Sequence, residues 1–260
     1  MQEQLKEIYE LNNSLLKLAE NLQDEFSHRK IKRDTLTADL YLLCFFFTKA
    51  SKSASAIVLL CQEGYCEDAY ILARSVFEIL VKSLYIFKTD SIERARAFIL
   101  YDNLEKRKQF RKIVNWNKEK GRTHKDMEKE LDKAEKICVD LEKDYQIDTV
   151  KVRWPQKRLE ELSKEVDLLH QYYTSYWISS LYVHTLARSS RSFVSQTDSG
   201  LSFYIGPTEK LSKDVLIWSF DLFGRLVREF DNQFDLGYKE KISEIEEEFN
   251  KFMQSAMNEE

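Results

Sequence analysis

The chain has 260 residues, 43% of them apolar and 13% aromatic, enough for a sizeable core in one large domain or a domain with an extension. Only six Gly and two Pro, with 32% charged residues and no long run of alternating β-branched positions, argue against a sheet-based fold and predict an all-α, multi-helix bundle. A net charge of −4 argues against wholesale coating of nucleic acid, and the four Cys (Cys44, Cys61, Cys66, Cys138) lie at no zinc-ligand spacing.

The opening MQEQLKEIYE carries no basic-then-apolar leader, which predicts a cytoplasmic protein with reduced thiols. From residue 2 to 28, Leu5, Ile8, Leu11, Leu15, Leu18, Leu22 and Phe26 recur at steps of three and four, an amphipathic helix that buries one face. Asp34 reads as the N-cap of a second helix that runs to Gln62, with Gly64 as its terminator. That helix is the most apolar stretch, but Lys49, Lys52 and several hydroxyl residues interrupt it, so it falls short of a membrane span and no membrane partner is expected.

Ala69 to Phe87, AYILARSVFEILVKSLYIF, is apolar all the way round, the pattern of a helix buried on every side. Arg74, Glu78 and Lys82 nevertheless line up along it at intervals of four, the spacing of an ion-pair ladder. An unpaired buried charge costs on the order of 3–5 kcal/mol, so these residues form either a structural pair or a polar site retained for function.

Ser91 reads as the cap of a fourth helix. From Arg94 to Lys125 there are eleven basic residues against Asp102, Glu105 and Glu119, followed by an acidic stretch from Asp126 to Asp148. Met127, Leu131, Ala134, Cys138 and Leu141 step 4, 3, 4, 3, a coiled-coil seam. Residues 94–147 are therefore expected to form a protruding antiparallel helical hairpin, an extension within a single 1–260 domain, its basic strip facing either phosphate or its own acidic partner. The break DTVKVRWP, ending at Pro155, and a short helix QKRLEELSKEV follow.

Residues 168 to 194 read as one continuous helix. On a helical wheel His170, Tyr173, Trp177, Ser180, Arg188 and Arg191 then fall within about 40° of His184. Guanidinium groups bind phosphate and aromatic rings stack on bases, so Tyr176, Trp177, Ser180, Arg188 and Arg191 are candidate substrate-binding residues. Leu201, Phe203 and Ile205 alternate after a turn at Asp198 to Gly200, a short extended segment. Thr208 reads as the cap of a helix that Gly237 ends, and Ile242, Ile245, Phe249, Phe252 and Met253 mark the inner side of a last helix. No Walker loop, glycine-rich dinucleotide turn, HExxH or paired Glu-x-x-His pattern is present, so neither a metal nor a cofactor is expected.

The pattern Asp68-Ala69, Ala73-Arg74-Ser75-x-Phe77-Glu78, then Tyr176-x-x-x-Ser180-x-x-Val183-His184, resembles a bacterial all-helical family catalogued as a domain of unknown function, over roughly residues 40 to 220. Such proteins look like distant relatives of the HEPN superfamily, helical bundles of toxin and anti-phage systems, many of them ribonucleases. The resemblance implies a defence or stress-response protein that binds RNA or a nucleotide, with metal-independent RNA cleavage as its candidate activity. Arg74, Glu78 and His184 are then the candidate catalytic residues. The HEPN ribonuclease motif, an Arg followed four to six residues later by His, does not precede His28, His124, His170 or His184. On this reading the fold itself must bring Arg74 and Glu78 to His184. The competing expectation is a non-enzymatic module in which the first helix and the charged hairpin build a homodimer or dock a protein partner.

Overall fold

The apolar steps of three and four in residues 2–28 become α1 (Gln2–His28), whose Ile8, Leu11, Leu15, Leu18 and Leu22 are buried. The computed structural model describes residues 2–29, 36–145, 157–198 and 200–258. Over these residues the chain is an all-α bundle with one small β-hairpin. The apolar face of α1 packs on α2 (Ala38–Gln62), α9 (Ser212–Phe234) and α10 (Lys239–Asn258) of the same chain. Buried Asn12 donates from Nδ2 to Ile8 O at 2.8 Å and Leu216 O at 3.2 Å, which satisfies its amide and ties α1 to α9.

The core lies where α2, α3 (Cys66–Lys88) and α9 meet, and six phenylalanines, Phe46, Phe47, Phe77, Phe220, Phe223 and Phe252, are fully buried in it. Each contributes roughly 1.5–3 kcal/mol by leaving water. Phe47 stacks on Phe230 with centroids 4.0 Å apart, and Phe220 on Phe249 at 4.2 Å. By length and composition alone α2 is apolar enough to cross a bilayer, and half of that stretch is buried inside the bundle.

Asp34 lies outside the described residues; α2 begins at Ala38 with Thr37 in the cap position. Its end is as expected. Gly64 takes φ 78°, its N–H reaches Cys61 O, and Tyr65 N–H reaches Leu60 O, the paired bonds of a Schellman ending. A Cβ on Gly64 would lie 2.6 Å from Pro207 Cβ and 2.8 Å from Thr208 N, because the segment before α9 runs directly over this turn. Thr208 N–H bonds Gly64 O at 2.8 Å.

Ser91 does not cap α4 (Ser91–Glu119). Asp90, in the left-handed region, holds the cap position, and the Ser91 hydroxyl donates to Asp39 on α2. α4 and α5 (Lys125–Tyr145) pack along one another across the turn at Gly121, around Leu100, Leu104 and Cys138, separately from the main core. Arg111 meets Glu135 at 2.8 Å and Lys106 meets Glu130 at 3.9 Å. Part of the basic strip thus faces its acidic neighbour.

The expected break at 148–155 lies outside the described residues. α6 (Leu159–Glu165) follows, its start fixed by Arg158 N–H bonding Glu161 at 2.7 Å. Thr208 does not cap α9, which begins at Ser212; its hydroxyl instead accepts from Lys210 N–H at 3.2 Å. α9 ends at Phe234 with Asp235 in the left-handed region, and Gly237 sits in the link to α10. Ile242 and Phe252 of α10 are buried, as its pattern requires.

Candidate functional site

The expected helix over 168–194 is not continuous. Residues Leu169–Gln171 form a single turn, α7, which widens into a π-helical turn at Tyr172–Tyr176 before α8 (Trp177–Val183). α8 stops there. Thr185 N–H bonds Tyr182 O and Leu186 N–H bonds Leu181 O, a second Schellman ending, with Thr185 at φ 49° where a glycine is usual. A left-handed conformation costs a β-branched residue about 1–2 kcal/mol. A 3₁₀ segment at Ala187–Ser192 follows, in which Ser189 and Ser190 hydroxyls bond the carbonyls of Leu186 and Ala187. Such local bonds compete with the α-helix and explain its end.

These breaks rearrange the expected polar face. The π-turn inserts a residue, so Tyr173 is carried to the surface, where its hydroxyl donates to Glu160. Arg188 and Arg191 leave the axis of α8 altogether. Arg188 lies over the Trp177 ring at 5.4 Å, both exposed, while Arg191 makes no hydrogen bond or ion pair among the described residues. The Ser180 hydroxyl points back along its own helix to Tyr176 O at 2.8 Å.

Arg74, Glu78, Tyr176 and His184 do come together. α3 supplies the first two from its less buried side, with side chains 17% and 33% exposed. Arg74 Nε donates to Glu78 Oε1 at 3.3 Å, and Lys82 approaches the other carboxylate oxygen at 3.7 Å, the helical i, i+4 ladder. Tyr176 crosses from the π-turn and donates its hydroxyl to Glu78 Oε1 at 3.2 Å. Its ring is held by Phe77 at 5.1 Å, by stacking on Tyr172 at 5.1 Å, and by the Arg74 guanidinium at 4.7 Å. Burial, then the negative charge of Glu78, push the Tyr176 phenol up to about 12, with Arg74 opposing.

His184 closes the group from the C-terminal end of α8. Arg74 Nη1 lies 3.3 Å from its Nε2. A guanidinium can only donate, so Nε2 accepts and the imidazole proton sits on Nδ1. The exposed ring therefore offers an N–H to solvent or ligand. Beneath the site, Tyr70 packs on Tyr182 at 5.8 Å, and Trp218 of α9 packs under Tyr70 and Phe77 at 6.1 and 6.2 Å. α3 and α8 are thus fixed to one another by aromatic contacts before the polar groups meet.

The sequence named Tyr176 as a candidate without its bridging role, and missed Tyr172 and Thr185. Tyr176 falls to one side of the wheel face yet forms the bridge to Glu78, Tyr172 backs its ring, and Thr185 sets the turn that holds His184. The run of Thr185, Ser189, Ser190 and Ser192 is the signal that marks this helix end. Among the described residues no group of three or more His, Cys, Asp or Glu is placed to hold a metal ion.

No curated protein and no solved structure matches the chain. A family model covers residues 40–201, which include Arg74, Glu78, Tyr176, Ser180, His184, Arg188 and Arg191 and leave out α1, α9 and α10. The chain belongs to that family, the family of unknown function DUF5677.

Proposed function

We propose that the protein binds a phosphate group of RNA or a nucleotide at Arg74 and His184. The observation that supports this most is their 3.3 Å approach across 110 residues of chain. With Nε committed to Glu78 and Nη1 to His184, Arg74 keeps Nη2 without a protein acceptor among the described residues, beside the outward N–H of His184. Two donors, one of them fully charged, suit an oxyanion. Glu78 orients the guanidinium, and Lys82 adds a second positive charge. Trp177, 47% exposed, and Arg188 offer a ring and a cation for an adjoining base and phosphate.

The catalytic form of this reading, drawn from the resemblance to HEPN ribonucleases in defence systems, needs no metal. The 2′-hydroxyl of RNA attacks phosphorus and releases its proton to water, Arg74 stabilises the charge on the phosphoryl oxygens, and His184 donates a hydrogen bond from Nδ1 to the departing 5′-oxygen, which takes its proton from water. The products are a 2′,3′-cyclic phosphate and a 5′-hydroxyl end. Fluorescence anisotropy with a labelled single-stranded oligoribonucleotide tests binding, with gel analysis of the RNA ends for cleavage. Arg74→Ala is expected to weaken binding at least tenfold and His184→Ala to abolish any cyclic-phosphate product. Equal binding by wild type and both variants removes the proposal.

One observation favours a second reading, a non-enzymatic interaction module. Glu78 is already satisfied by Arg74, Lys82 and Tyr176, as in a structural network. On that reading Arg74→Ala lowers the melting temperature and changes no RNA-related property.

A further inference from the structure

Among the described residues the β-hairpin that follows the site pairs with no further strand. β1 (Val194–Thr197) and β2 (Gly200–Phe203) pair antiparallel, with Val194 opposite Phe203 and Gln196 opposite Leu201. A two-stranded hairpin alone is marginal in water. Here its apolar face is solvated: Leu201 is 65% exposed, Phe203 67% and Ile205 94%.

The ladder fixes where the free backbone groups point. Tyr204 N–H bonds Phe193 O at 2.8 Å, so that pair is the hydrogen-bonded kind. Alternation then makes Ser195–Ser202 hydrogen-bonded, and Val194–Phe203 and Gln196–Leu201 the other kind. The N–H and C=O of Leu201 and Phe203 consequently face away from β1 in the plane of the ribbon, while their exposed side chains stand on one of its faces. Between Phe193 and Gly206 no Lys, Glu or Pro guards that edge, and the only charge is Asp198 at the turn.

We propose that this edge pairs with the same edge of a second copy of the chain, β2 against β2 about a two-fold axis, to give a four-stranded antiparallel sheet. In the register centred on Ser202, Leu201 and Phe203 of each copy exchange both backbone bonds with Phe203 and Leu201 of the other. An interface that faces itself sets like charge against like, and this one carries none outside the turn. A large side chain brings about 150–250 Å². On that scale the exposed parts of Leu201, Phe203 and Ile205, which share one face of the strand, amount to roughly 400 Å² per copy; edge pairing buries their flanks and leaves their outer sides in water, so a pair buries less than about 800 Å² and associates weakly. The absence of a cation on the hairpin disfavours RNA as its occupant.

Sedimentation or light scattering on the full chain, up to about 1 mM, the range in which small, weak interfaces associate, reads the association. Twice the monomer mass is expected. Phe203→Pro removes an outward N–H together with the exposed ring, leaves every β1–β2 bond in place, and is expected to give a monomer with unchanged helical circular dichroism. Ser202→Cys, made together with Cys44→Ser because Cys44 is half-buried while Cys61, Cys66 and Cys138 are buried, places two thiols across the axis and is expected to form an interchain disulfide under mild oxidation. A monomeric wild type overturns the proposal, as does a dimer that survives Phe203→Pro without cross-linking through Ser202→Cys.

Discussion

Replacing Glu78 probes the junction on which the site depends. Its carboxylate accepts from Arg74 Nε at 3.3 Å and the Tyr176 hydroxyl at 3.2 Å, and lies 3.7 Å from Lys82. An exposed helical ion pair is worth about 0.5 kcal/mol, and breaking a fully buried one costs roughly 3–5 kcal/mol. With Arg74 17% and Glu78 33% exposed, solvent screens part of the interaction, and Glu78→Ala is expected to cost about 2 kcal/mol. For a chain of this size that lowers the melting temperature by roughly 4–8 °C. Glu78→Gln keeps an acceptor for Tyr176 and loses the charge facing Arg74, so about half the loss is expected. Calorimetry with far-UV circular dichroism reads both variants, and a double-mutant cycle with Tyr176→Phe should give a coupling of about 1 kcal/mol. A Glu78→Ala protein that melts within about 1 °C of wild type, or a cycle with no coupling, refutes the view that this carboxylate ties α8 to α3.

The raised phenols give an alkaline limit: Tyr176 and Tyr9 are pushed up to about 12, both chiefly by burial, so the native state holds protons that the unfolded chain releases near pH 10. Stability should be unaffected by them below pH 10 and fall from pH 10 to 12, and Tyr176→Phe should flatten that fall in a series of urea titrations; an unchanged slope contradicts the assignment. Thr185→Gly relieves a left-handed β-branched residue at φ 49° and should raise stability by about 0.5–1 kcal/mol, read as a melting temperature up by roughly 1–3 °C; a lower one shows that the turn is not strained. Gly64→Ala combines φ 78° with a 2.6 Å approach to Pro207, and should cost about 2–4 kcal/mol; a loss below about 1 kcal/mol means that the segment over the turn gives way freely.

Helix periodicity made most of the bundle legible. α1 and α10 follow their apolar spacing, α3 forms as expected but keeps one half-exposed side where burial all round was expected, and Gly64 ends α2 because only a residue without Cβ fits under Pro207. The charged ladder on α3 was likewise readable, since three charges on an otherwise apolar helix must find partners. The wheel over 168–194 failed because it assumed one helical repeat where the chain uses three. A π-turn and a left-handed Thr are local decisions, taken by side-chain hydroxyls and aromatic stacking against α3, and no averaged period contains them. His184 still reaches Arg74, through one end of a short helix. Arg188 and Arg191 were misplaced because their positions depend on the turn after His184.

The central claim is that Arg74 fixes His184 with its proton on Nδ1 and that both groups then turn their free donors to phosphate. Long-range ¹H–¹⁵N spectra of the His184 imidazole, recorded during titration with a short oligoribonucleotide, test it directly. The account predicts the Nδ1–H tautomer in the free protein, converted to the other form by Arg74→Ala, and a shift of the Nδ1 resonance on RNA addition that the variant lacks. An Nε2–H ring in the free protein, or resonances that ignore RNA, would contradict it.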